Sequence, residues 1–240
     1  MFNIVVLGIT FLAFIPSFVV TSAVMPFLIA MLKKRGITGI DMNKYSKPAV
    51  PEMGGIGVFF GIVAGIMTAL GVLSYFDFFP VEVNLTSILA AGLTILVVGF
   101  IGVFDDLIGW KRGLRQWQHA LFPVFAALPL MVLPQSIATT EVTIPFMGIV
   151  SFGFFYSLFL VPIAITGASN AVNMLAGFNG LEAGLGAIIS FSMLLALFFL
   201  PTGQPGSIEA IIIMSSLLGS LLAFLRHNWI PAKIFGGDSL

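Results

Sequence analysis

The chain has no cysteine, which excludes disulfides and thiolate chemistry and leaves the compartment open. Charge is nearly as scarce. Asp, Glu, Lys and Arg together make up 8% of the 240 residues, against about a quarter in a typical soluble domain. Net charge is zero, so there is no polybasic footprint for nucleic acid. The N-terminus lacks a basic lead-in, and its apolar stretch is too long for the core of a signal peptide, so no cleavable signal is expected. What is plentiful is apolar surface: 59% of residues are hydrophobic and the mean hydropathy is +1.12. The composition predicts an all-α, polytopic membrane helix bundle, a single transmembrane domain over residues 1–240.

Seven apolar spans are expected, roughly at 4–32, 53–75, 85–104, 118–134, 144–168, 183–200 and 208–225. The first is long enough to tilt or kink, with Pro16 and Pro26 inside it. The fourth is short and begins after His119, so its first turn is expected in the interface. All ten Lys and Arg residues fall in segments on one side of these spans, and cytoplasmic loops carry such an excess. The N-terminus is therefore expected outside, and segments 33–52, 105–117, 169–182 and 226–240 inside. Span 2 carries Gly57, Gly61 and Gly65 at four-residue spacing, a stripe for close helix packing.

The chemistry-bearing residues lie in the four inner segments. The first has Asp41, Asn43 and Glu52 among its charges and turn formers; a carboxylate where a loop meets the membrane needs a partner or a ligand. The second has Asp105 and Asp106. Paired carboxylates repel unless a cation or proton relieves them, and Mg²⁺ favours a few carboxylate oxygens plus substrate phosphates. A polar stop after an apolar helix explains the pair equally well. Lys111, Arg112 and Arg115 follow, suited to phosphate or to anionic lipid. The third segment gathers Asn170, Asn173, Asn179 and Glu182, with Asn170 and Asn173 on one face of any helix there. Such amides suit a nucleotide, a sugar or a metal, and Asn179-Gly180 is also a turn signal. The fourth ends in Gly236, Gly237 and Asp238.

In order, DMNK with KPAVPE, VFDD, NAVNMLAGFNGLEAG and HNWIPAKIFGGD resemble the polyprenyl-phosphate N-acetylhexosamine-1-phosphate transferases. The resemblance runs the length of the chain. It is strongest to the eukaryotic and archaeal branch that joins UDP-N-acetylglucosamine to dolichyl phosphate. It implies transfer of N-acetylglucosamine 1-phosphate to dolichyl or another polyprenyl phosphate with release of UMP, on the cytoplasmic membrane face. It further implies Mg²⁺ as cofactor, with Asn173 and Asp238 at the positions of its ligands and Asp105 and Asp106 at those of the catalytic pair. Ile40, Asp41, Met42, Glu52 and Asn179 match donor-contacting positions. Thr166 to Met174, with Asn170 and Asn173, match the region beside the lipid phosphate. The resemblance also leaves room for a homodimer. The membrane would be the cell membrane in an archaeon and the endoplasmic reticulum in a eukaryote.

Two departures stand out. His119 occupies the place of a family lysine, and Arg115 is the nearby residue able to restore its charge. The family has about ten spans, so the chain is expected to be C-terminally incomplete relative to it. The rivals are the bacterial phospho-N-acetylmuramoyl-pentapeptide transferases, an inactive fragment or scaffold, and a transporter. A transporter would place binding groups near the bilayer midplane, whereas the polar groups here gather at one interface.

Overall fold

The computed structural model describes residues 2–76, 78–79, 81–109, 116–133, 141–199 and 206–240. The first helix, α1 (Phe2–Arg35), runs 34 residues and carries Pro16 and Pro26 without interruption. Lys33, Lys34 and Arg35 in its last turn complement the helix dipole. Gly36, at φ +70°, then stops it. The Gly36 and Ile37 amides bond back to the Lys33 and Leu32 carbonyls, the Schellman arrangement that such a conformation permits. A small antiparallel hairpin follows, β1 (Thr38–Ile40) and β2 (Ala49–Pro51), with Gly39 opposite Val50. Next come α2 (Gly55–Tyr75) and α3 (Leu85–Gly109). Asn84 caps α3 through its side-chain oxygen and the Ser87 amide.

The predicted fourth span, 118–134, is corrected in form. It is three short helices, α4 (Gln116–Leu121), α5 (Pro123–Ala126) and α6 (Leu128–Met131). Pro123 begins α5 and Pro129 stands in the first turn of α6, and a proline cannot donate into a preceding helix. Among the described residues, six helices are long and apolar enough to cross a membrane, and this path is not one of them. The path still has to return across the bundle, because the helices before and after it both run toward the same end. Its last piece packs on the π-helical turn Tyr156–Leu160, and α4 and α5 pack on the helix that follows that turn.

The predicted fifth span is also corrected. Residues from 144 to 151 are not helical but complete a second hairpin, β3 (Glu141–Ile144) with β4 (Gly148–Ser151). The helix itself, α7 (Val161–Leu175), runs seven residues past the expected end at 168, so Asn170 and Asn173 are helical. Helices α8 (Leu181–Phe199) and α9 (Ser207–Asn228) agree with expectation within a few residues.

The core is where α1, α2 and α9 meet. Ile9, Met25 and Leu28 of α1, Val58 and Ile62 of α2, and Ile211, Ile212 and Phe224 of α9 are buried together. The glycine stripe of α2 makes this contact possible. A Cβ at Gly61 would overlap Thr21 and Ser220, and one at Gly65 would overlap Ser17, Ser216 and the backbone of Ala13. Lipid removes most of the hydrophobic drive between helices, so close van der Waals approach carries the association. Thr21 adds a hydrogen bond to the Gly57 carbonyl (3.3 Å), worth about 0.6 kcal/mol in such a setting.

Candidate active site

The four polar segments converge on one cleft of about 630 Å³ at the end of the bundle. The β1–β2 hairpin forms one wall. Asp41, at its turn, is buried and accepts bonds from the Lys44 ammonium (2.7 Å), the Asn43 amide (3.2 Å) and the Asn179 side chain (3.3 Å). The Lys44 hydrogen bond holds the Asp41 carboxyl below the usual range. Asn43 donates to the Gly177 carbonyl (2.6 Å), so the hairpin is tied twice to the turn after α7. Ile40 and Met42 flank Asp41 and stay exposed at the cleft. Glu52 follows β2 at the membrane boundary. Burial, then the neighbouring Asp238 charge, pushes its carboxyl above the usual range.

The end of α3 supplies Asp105, which is buried, and Asp106, which is half-buried. The end of α7 supplies Asn173, whose amide donates to the Asp238 carboxylate (2.6 Å). Glu182 enters from the first turn of α8. The chain after α9 closes the cleft, and it is held by backbone bonds. Phe235 donates to the Pro51 carbonyl (2.7 Å), while the Gly54 and Gly55 amides donate to Phe235 and Gly236 (2.8 and 2.9 Å). Gly55 and Gly102 leave room for this segment: a Cβ at either would overlap the backbone of Asp238 or Ser239.

Two positions that sequence reasoning did not assign are important here. Buried Asn228 accepts from the Gly180 amide (2.8 Å) and donates to the Ile234 carbonyl (2.9 Å), joining the turn that carries Asn179 to the segment that carries Asp238. Glu182 stands in the sequence only as one member of an amide-rich run. Its place beside an Asn-Gly turn, at a helix start, was the available hint.

The remaining expected positions are spread more widely. Thr166, Asn170 and Met174 lie on α7 away from the cleft lining, with Asn170 bonded to the Thr166 carbonyl (2.8 Å) and Met174 exposed. His119 lies on α4. Arg115 lies outside the described residues, as do Lys111 and Arg112. A second, mainly apolar cavity of about 350 Å³ lies between α2, α3, α7 and α9 and meets the cleft at Glu182, Gly237 and Asp238.

The donor set is hard oxygen throughout, which suits Mg²⁺ and not a soft metal. Among the described residues no three acidic or histidine side chains converge tightly enough to enclose an ion by themselves. An ion held by Asp238 and Asn173 would therefore complete its shell with water and phosphate oxygens, as Mg²⁺ commonly does. Among the described residues, Glu52, Asp106, Glu182 and Asp238 form no ion pair with a basic side chain. A phosphate-bearing ligand entering this acidic cleft needs a cation to offset the repulsion.

Residues 85–240 match the family described as Glycosyl transferase family 4. A Sulfolobus acidocaldarius protein, provisionally named UDP-N-acetylglucosamine–dolichyl-phosphate N-acetylglucosaminephosphotransferase, is 40% identical over 95% of this chain and 65% of its own length. The Dictyostelium discoideum protein of the same name is 26% identical over 91% of the chain and 60% of its own. A phospho-N-acetylmuramoyl-pentapeptide-transferase of Limosilactobacillus reuteri is 34% identical over 95% of the chain and 69% of its own. The chain thus spans about two thirds or less of the length of the first two relatives. A match over all of α3 to the last residue, taking in three of the four segments that line the cleft, places the chain in glycosyl transferase family 4.

Proposed function

We propose that the cleft transfers N-acetylglucosamine 1-phosphate from UDP-N-acetylglucosamine to dolichyl or a related polyprenyl phosphate, the first step in assembling a lipid-linked oligosaccharide for N-glycosylation. The observation that carries this reading is the convergence of four separate membrane-boundary segments on one polar cleft. A soluble nucleotide-sugar and a lipid phosphate can meet only at such a boundary. The apolar cavity beside Asp238 offers surface for hydrocarbon at the same point. Relatives from an archaeon and a eukaryote carry names for this reaction.

An oxygen of the lipid phosphate attacks the β-phosphorus of the donor. The new bond forms there as the bond from that phosphorus to the bridging oxygen breaks, and UMP leaves. Phosphoryl transfer of this kind asks for positioning and charge neutralisation more than for covalent help. Ile40, Asp41, Met42, Glu52 and Asn179 hold the donor. Asp105 faces the acceptor phosphate, which is already largely ionised near neutral pH. Asn173 and Asp238 would hold Mg²⁺, which would supply charge neutralisation on the phosphate oxygens.

The test is UMP release by this chain in membranes, with dolichyl phosphate and Mg²⁺ against a chelator control. Release requiring both supports the reading. UDP-N-acetylmuramoyl-pentapeptide as the preferred donor would replace it with the bacterial-type activity, and no release from either would overturn it for this chain.

Orientation has its own test, which needs no turnover. Tyr45, in the hairpin loop of the cleft, and Phe146, at the tip of the second hairpin, are both fully exposed. A membrane-impermeant maleimide should label Tyr45→Cys only from the cytoplasmic side and Phe146→Cys only from the opposite side. The reverse pattern would turn the site outward.

A further inference from the structure

We propose that Asp106 is a positioning residue: its two carboxylate oxygens hold the backbone of the turn from Gly236 to Leu240, and through that turn they set where the Asp238 carboxylate stands. The inference rests on the cleft being the transfer site, but its geometry is independent of turnover.

Oδ1 of Asp106 accepts the Asp238 amide (2.8 Å) and Oδ2 accepts the Ser239 amide (3.1 Å). Both oxygens are therefore engaged by the turn. Glu182 lies close against Gly236 in the same turn. Two successive amides thus face one carboxylate, a concave pair of N–H groups of the kind that binds anions, with the anion supplied by the protein. Gly237, at φ +73°, makes the approach possible. An L side chain is strained there, and its Cβ would overlap the Asp106 carboxylate.

The side chain of Asp238 meets the Asn173 amide (2.6 Å). Asp105 immediately precedes Asp106 on α3. Successive residues on α3 are about 100° apart around the axis, so the two neighbouring carboxylates point in different directions. The paired aspartates therefore divide their work, with Asp106 acting through Asp238.

Hydrogen exchange of the turn, measured by mass spectrometry on a peptide covering residues 235–240, tests this directly in metal-free, substrate-free protein. Asp106→Asn keeps one acceptor but sets an NH₂ group against the second amide. It should speed exchange of the turn about tenfold, as should Asp106→Ala. Asp106→Glu should restore much of the protection, and Asp105→Asn should match the unaltered chain. Peptides from α2 and α9 should be unchanged throughout.

Unchanged exchange in Asp106→Asn and Asp106→Ala would overturn the inference. So would equal loosening by Asp105→Asn, or loss of protection across α2 and α9, which would make Asp106 a general fold residue. Kinetics supply the second readout. Asp106→Asn should raise the Mg²⁺ needed for half-maximal UMP release by about 10- to 100-fold, with the rate recovering at saturation. A rate lost at every Mg²⁺ concentration would instead make Asp106 a direct participant in the reaction. Failure of the unaltered chain to release UMP would count against the transfer reading and leave the exchange result standing.

Discussion

The helical run from Tyr156 through α7 to Leu175 and the helix α9 are both long enough and apolar enough to cross a membrane, yet 61% of the apolar stretch of α9 is buried and only 6% of the run that ends with α7. Both carry small residues; what differs is whether those residues meet a neighbouring helix, for Gly219 of α9 lies against Phe14 and Ser17 while Gly167 of α7 has nothing within 4 Å. α9 turns Ser216, Gly219 and Ser220 toward α1 and α2, and each backbone approaches closely. α7 keeps Ile163, Val172 and Met174 exposed. In lipid, apolar surface alone gives one helix little reason to choose another, so close contact at small residues on both partners marks the scaffold. α7 is instead specified at its end, where Asn173 meets Asp238.

The largest effect should follow from cutting that end. Asp238→Ala or Asn173→Ala should lower UMP release on the order of 100-fold or more while leaving expression and melting temperature in place. Near-normal turnover in either would remove that residue from the site. Next is a bulky residue in the scaffold. Gly65→Leu should destabilise the bundle by about 3 kcal/mol, because one of its new neighbours is backbone and cannot move aside. Gly167→Leu on α7, with nothing within 4 Å, should melt like the unaltered chain. Equal melting of the two variants would erase the distinction between the helices.

Asn228→Ala tests the link between scaffold and site. It orphans one buried donor and one buried acceptor, and should cost about 2 kcal/mol in thermal unfolding. The smallest effect concerns Glu52. Its folded carboxyl sits above the usual range, so the folded chain binds this proton more readily than the unfolded chain, and stability falls as pH rises through that raised value. Glu52→Gln should therefore raise the melting temperature slightly at pH 7, with the gain vanishing below the ordinary glutamate value. A gain equal at both pH values would point to packing rather than ionisation.

Long apolar runs were legible because lipid leaves the backbone no other choice. The exceptions share a cause. Pro123 and Pro129 divide the fourth path, and the apolar run from 144 to 151 hides a hairpin whose turn is Pro145-Phe146-Met147 with Gly148. Hydropathy averages over such punctuation. The site was legible as four motifs because each is polar against an apolar background. Its assembly was not. Asn228 meets Gly180 across 48 residues and Asp106 meets Asp238 across 132, and both bonds engage main-chain amides that carry no side-chain identity.

The length of α1 has a consequence for the setting of the reaction. Thirty-four residues at 1.5 Å each make a rod about 50 Å long, against a hydrocarbon thickness of about 30 Å. Its basic end leads directly into the hairpin that walls the cleft. The helix therefore works as a gauge. Its tilt would set the height of the cleft above the acyl chains and, for the proposed transfer, the plane in which a lipid phosphate presents itself. A thicker or thinner bilayer would retune that height without touching a single residue of the cleft.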